Sequence, residues 1–328
     1  MKATAIANAN IALIKYWGKR NKELILPYNS SISMTCDGLW SKTTVEFGDY
    51  SEDTIVINDE ELKKDEKDVQ GHIERIRKMS GINKNAKVVS ESNFPVAAGL
   101  ASSASGLAAL TLATTAAAGM KLDKKQLSIL ARQGSGSASR SIEGGFVEWV
   151  KGEEEDGSDS YAKQIKSKEH WPEFRMIACI VSEAKKATSS RAGMSQTVST
   201  SPYYEGWLKS IDQDLQHMRE GIMKKDFTIV GSTAEANALK MHATMMTTRP
   251  SIIYWQPATV EIMHWIMKAR DEGLECYFTM DAGPQVKILC LSKDEKEIIK
   301  NVMELEGVKK TIVCKPGDGA HLTQEHLF

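Results

Sequence analysis

The chain has 328 residues, 41% of them hydrophobic, with 42 Lys and Arg against 43 Asp and Glu. That length allows roughly two domains around a sizeable core, while a net charge of -1 supplies no field for gathering nucleic acid or coating an anionic membrane. No run of about 18 apolar residues is present, and the start "MKATAIANANIALIKYWGK" lacks a signal peptide's apolar core, so a cytoplasmic location away from membranes is expected.

Strands dominate the opening. "TAIANANIALIKYW", "SISMTCDG", "KTTVEFG" and "DTIVIN" carry β-branched, alternating patterns separated by Asn, Asp and Gly turns. Leu62, Val69, Ile73 and Ile76 recur at near-helical spacing among charges, which predicts a solvated amphipathic helix over residues 60–79. "AKVVSES" reads as another strand, and the alanine-rich run after Ser102 as a helix. The acidic "KGEEEDGSDS", residues 151–160, predicts a hairpin tip, and "FRMIACIVS" a strand. Helix formers then prevail over residues 189–246, with a further helix at "TVEIMHWIMKARDEG". "LECYFTMD", "QVKILCL" and "KKTIVCK" return to strand, with a helix over "KDEKEIIKNVMELEG"; the polar tail "KPGDGAHLTQEHLF" is expected to be partly mobile. The pattern is α+β, with mixed and antiparallel sheets packed by helices and a boundary near residue 180.

Five cysteines are scattered without a C-x-x-C pair, so they read as core thiols, with one disulfide left open. Fifteen methionines read as adaptable core filler. The histidines lack metal-ligand spacing, and His242 is expected on a helix face or a pocket wall.

"FPVAAGLASSASGLAALTLATTAAAG" poses a sharper question. Pro95 discourages helix before it, Gly99 lets backbone approach a ligand closely, and Ser102, Ser103 and Ser105 open the helix. Free N–H groups at such an end attract phosphate, although a capped core helix fits the stretch equally well. No Gly-Lys-Ser/Thr follows, so this is not a Walker A loop.

The stretch resembles the phosphate loop of the GHMP kinase superfamily. Together with "NIALIKYWGKRNKELILPYNSSIS", "RQGSGSASRSIEGGFVEW" and "MDAGPQVKIL", in that order over almost the whole chain, it resembles the diphosphomevalonate decarboxylase family. The resemblance implies a two-lobed fold with a deep cleft, an N-terminal ATP-binding domain over 1–180 and a C-terminal domain over 181–328. It implies ATP-dependent phosphorylation of the C3 hydroxyl of mevalonate 5-diphosphate, then loss of phosphate and carbon dioxide to give isopentenyl diphosphate. Asp281 matches the family's catalytic aspartate, and Lys15 and Arg140 match its basic partners. Tyr16, Lys19, Ser135, Ser137, Ser190 and Arg191 match substrate contacts. Gly99, Leu100, Ala101, Ser102 and Ser103 match the cradle for ATP phosphates, with magnesium arriving with ATP near Ser103 rather than at a dedicated protein site. A homodimer is also implied. Nearby alternatives are a phosphomevalonate decarboxylase or a mevalonate 3-kinase; a nucleotide-binding regulatory protein without catalysis is a more distant one.

Overall fold

The computed structural model describes residues 1–62, 67–94, 102–184 and 186–328. The N-terminal half begins with β1 (Lys2–Ile14), a small ribbon of β2 (Lys19–Asn21) and β3 (Leu26–Pro27), and then β4 (Ser31–Gly48). After these come β5 (Thr54–Ile57), β6 (Glu60–Glu61), α1 (Lys67–Ser80), β7 (Asn85–Ser92) and α2 (Ser102–Ala117). α3 (Lys124–Gly134) and the single turn α4 (Ala138–Ser141) lead to the hairpin β8 (Phe146–Trp149) and β9 (Ala162–Lys166).

The remaining elements are β10 (Phe174–Ile180), α5 (Ser190–Thr200), α6 (Tyr204–Lys224), α7 (Phe227–Met246) and α8 (Pro257–Asp271). β11 (Tyr277–Met280), β12 (Val286–Leu291), α9 (Glu295–Val302), β13 (Lys310–Pro316) and β14 (His321–Thr323) complete the chain.

Among the described residues one mixed sheet holds twelve strands, and only the pairing of β5 with β7 is parallel. Its spine is β4, which joins two stretches expected to be separate strands. Gly38, with φ +107°, supplies a conformation favourable to glycine, and the register with β1 slips between Asn8 and Asn10 beside it. The bent strand therefore changes partners: it meets β8 at one end, β13 at Cys36 and Asp37, and β7 at the other.

α2 is buried on most sides, with Ala104, Ala108, Ala109, Ala113 and Ala117 at zero exposure. Small side chains let it lie close against the sheet, between two apolar clusters. α3 is fixed by a capping box, in which Asp123 accepts from Gln126 N–H at 2.8 Å while Gln126 accepts from Asp123 N–H at 3.0 Å. α8 and α9 cover the other face of β10 to β12.

Two expectations need correction. The helix expected over 60–79 begins at Lys67, because Glu60 and Glu61 pair with β5 instead; residues 63–66 lie outside the described part. The tail expected to be mobile is docked: β14 pairs with β1, His326 Nδ1 shares a hydrogen bond with Thr4 Oγ1 at 2.6 Å, and Leu327 N–H donates to Thr44 Oγ1 at 3.0 Å. Backbone pairing to a strand edge needs no apolar side chains, so a polar tail can satisfy it. All five cysteines are free and buried.

Candidate active site

β1 runs inward through the core and stops at Ile14, and two buried amides take over the next residue's backbone. Asn237 of α7 accepts from Lys15 N–H at 2.8 Å, and Asn29 Nδ2 donates to the Lys15 carbonyl at 2.8 Å. Asn237 is itself held by Asp214 of α6 at 2.7 Å. This chain of contacts delivers the Lys15 side chain, 2% exposed, to Asp281 in the turn between β11 and β12. Lys15 Nζ donates to Asp281 Oδ1 at 2.9 Å and to the Ala12 carbonyl at 2.7 Å. His242 of α7 donates to the Asp281 carbonyl at 3.2 Å and packs on Trp255.

Burial pushes the Asp281 carboxyl up, but Lys15 and a second ammonium, Lys287 of β12 at 3.3 Å from Oδ2, outweigh it and hold the group below the usual carboxylate range. Burial lowers Lys15 to about 8 despite Asp281 beside it. Burial, with the Lys15 charge adding to it, takes His242 down to about 3, so its imidazole is neutral.

Arg140 is 3% exposed and has only neutral acceptors. Its Nε donates to Asn10 Oδ1 and Ser33 Oγ, each at 3.0 Å, and Nη1 to Ser31 Oγ at 2.6 Å. Burial lowers it to about 10, which leaves it charged at neutral pH. It makes no ion pair among the described residues; the second cation paired with Asp281 is Lys287, not Arg140. A buried cation with neutral partners is a receptor for an anion.

Asn10, Lys15, Arg140 and Asp281 line one cavity of about 640 Å³. Ser135 lies between Ser103 at the start of α2, at 3.4 Å, and Ser137 at 3.3 Å, so hydroxyls from α2 and from the segment between α3 and α4 converge on one wall. Ser102 stands at the first turn of α2; Gly99, Leu100 and Ala101 lie outside the described residues. The Tyr16 ring packs edge-on against Trp149, and its buried hydroxyl has no hydrogen-bond partner among the described residues. Lys19, Ser190 and Arg191 line the same cavity, and Ser190 Oγ accepts from Lys186 Nζ at 2.7 Å. Lys186 also donates to the Ala282 carbonyl at 2.7 Å, which ties the start of α5 to the Asp281 turn. At its far end the cavity is apolar, walled by Ile55, Ile57, Val69, Val88, Leu107 and Leu110.

The family profile for the diphosphomevalonate decarboxylase-like N-terminal domain matches residues 7–162, and that for the mevalonate 5-diphosphate decarboxylase C-terminal domain matches 176–322. The human diphosphomevalonate decarboxylase is 37% identical over 319 residues, covering 91% of this chain and 79% of its own. This chain belongs to the diphosphomevalonate decarboxylase family. A solved mevalonate diphosphate decarboxylase from Enterococcus faecalis, described with a mevalonate diphosphate mediated ATP binding mechanism, superposes with a TM-score of 0.92 at 42% identity, over 99% of each chain. A structure of MDDEF in complex with MVAPP, AMPPCP and magnesium gives the same score, identity and coverage.

Against the decarboxylase pattern, sequence reasoning missed Lys186, Lys287, Asn237 and the polar set Asn10, Ser31 and Ser33. Nothing in "EAKKATSSR" sets Lys186 apart from a solvated charge. Asn10, Ser31, Ser33 and Lys287 left a fainter signal: polar residues on strand positions whose neighbours two away are buried.

Proposed function

We propose that this chain is an ATP-dependent carboxy-lyase that converts mevalonate 5-diphosphate to isopentenyl diphosphate, ADP, phosphate and carbon dioxide. The observation that carries the reading is the inner end of the cavity, where an ionised aspartate stands beside Lys15 and a buried arginine lacks an anionic partner. Family membership supports it.

In this reading Arg140 receives the substrate carboxylate, and Asp281 orients the C3 hydroxyl. An aspartate held so acidic is a weak base, so it takes the hydroxyl proton late, as the bond from oxygen to phosphorus forms. The C3–O bond then breaks with phosphate as leaving group. The electrons of the bond to the carboxylate carbon become the alkene, and carbon dioxide departs. Lys19, Arg191, Ser190 and the unpartnered Tyr16 hydroxyl receive the diphosphate. Ser102, Ser103, Ser135 and Ser137 receive ATP phosphates at the α2 N-terminus, and the apolar end takes the base. Among the described residues no group of three or more His, Cys, Asp or Glu could hold a metal. Magnesium arriving with ATP would be held beside the Ser103 and Ser135 hydroxyls and would neutralise phosphate charge there.

Residues on both sides of position 180 line the cavity, among them Lys15 and Arg140 before it and Lys186, Arg191 and Asp281 after it. This supports the division into 1–180 and 181–328. The homodimer implied by the resemblance and the cytoplasmic location expected from the sequence complete the proposal, with sedimentation and cell fractionation as their tests. The reaction itself is tested by giving purified protein mevalonate 5-diphosphate and Mg-ATP. Stoichiometric ADP and carbon dioxide are expected. ADP alone would leave a C3 kinase, turnover of the monophosphate alone would leave a phosphomevalonate decarboxylase, and no product would overturn the enzyme reading.

A further inference from the structure

β12 alternates as a sheet strand should: Val286, Ile288 and Cys290 face the cluster under α8 and α9, and Leu289 faces the main core. Lys287 shares the phase of Leu289, opposite Ala178 of β10 and Thr279 of β11. It is a lysine in an inward position, with zero exposure. It does not line the cavity. A buried ammonium is costly unless an anion meets it, and here Asp281 Oδ2 lies 3.3 Å away. That oxygen is shut off from solvent, with the Lys287 ammonium as its charged neighbour, while the Asp281 side chain as a whole is 24% exposed. The exposed part is therefore Oδ1 and the carbons.

We propose that Lys287 is a positioning residue for the reaction: it holds Asp281 Oδ2 inward, so that the Oδ1 edge beside Lys15 is the one presented to the substrate hydroxyl. This rests on the reading of Asp281 given above. With one ammonium the carboxylate could turn about its χ2 bond and follow Lys15. With one ammonium on each oxygen it is held in a single orientation, before any substrate arrives. Such preorganisation matters because about 1 Å of misplacement can cost on the order of 100-fold in rate.

The charged and titratable groups around this carboxylate are Lys15 after β1, Arg140 of α4, Lys186 before α5, His242 of α7 and the Cys36 thiol of β4. The Lys287 charge pushes Lys15 and Lys186 down, so its removal moves both upward.

The test is Lys287→Met in the wild-type and Asp281→Asn backgrounds. In the wild type kcat should fall about 10- to 100-fold with the apparent KM of both substrates little changed. In Asp281→Asn the same change should add little, because Lys287 acts only through that carboxylate. Lys287→Arg should recover part of the rate, and the basic limb of kcat/KM should move to higher pH in Lys287→Met. Without substrates, the isotope-labelled carboxyl carbon of Asp281 should titrate at higher pH in Lys287→Met than in the wild type. Lys287→Gln serves the same comparisons where the methionine variant does not fold. Near-wild-type turnover, additive losses, an arginine variant as impaired as the methionine one, or an unmoved carboxyl titration would each overturn the proposal. If the wild type releases no carbon dioxide, the reaction reading falls and the carboxyl titration alone decides the role of Lys287.

Discussion

Asp281 and its lysines set the pH window of the site. Lys15 and Lys186 are both lowered to about 8, mainly by burial, and an ammonium is charged only below its pKa. The cationic site is thus intact at neutral pH and lost as pH rises through about 8. We expect kcat/KM, which reports ionisations of the free enzyme, to fall above that point. Asp281 is ionised throughout and His242 is neutral, so neither should add an acid limb between about pH 5 and 7. Asp281→Asn should retain binding of a nucleotide analogue and lose at least about 100-fold in turnover, measured well below its thermal midpoint. The qualification matters, since the variant also leaves Lys15 and Lys287 without a counter-charge, a loss that destabilises by about 3 kcal/mol in buried pairs.

The elements show where pattern reading succeeds and where it fails. α2, β7, β10 and α8 lie where composition and period put them, because one dominant interaction, burial of a face, decides each. β4 was hidden by Gly38, which reads as a turn signal in isolation but here only bends a strand that stays paired with β1 on both sides of it. The tail was missed for the opposite reason: β14 is held by backbone pairing and by polar contacts at Thr4 and Thr44, which leave no apolar period. Asp281, Lys15 and Arg140 were legible through motifs, whereas Asn237 was not, since a contact across 222 residues has no local signature. Deleting residues 321–328 should expose the β1 edge and lower the thermal midpoint while leaving the KM for both substrates unchanged, because none of those residues lines the cavity. A melting curve beside steady-state kinetics checks both halves of that statement.

For the whole molecule, the cavity depends on parts far apart in the chain. Lys19 comes from the ribbon after β1 and Arg191 from the first turn of α5, yet both stand on one wall. Lys19→Ala and Arg191→Ala should each raise the apparent KM for the diphosphate substrate by about tenfold or more, the worth of one hydrogen bond to a charged group. An unchanged KM in both would place the diphosphate elsewhere. The two halves are also joined by β13, whose Lys315 and Pro316 pair with Asp37 and Cys36 of β4. The free thiols mark this architecture. Cys36 and Cys314 flank the join, and Cys179, Cys276 and Cys290 sit in the cluster beneath α8 and α9. A thiol reagent should find nothing to react with on the intact molecule and must wait for an opening. Labelling followed site by site by mass spectrometry would then act as a pair of internal clocks. One reports how often the halves come apart at their shared strand, the other how often the C-terminal core breathes.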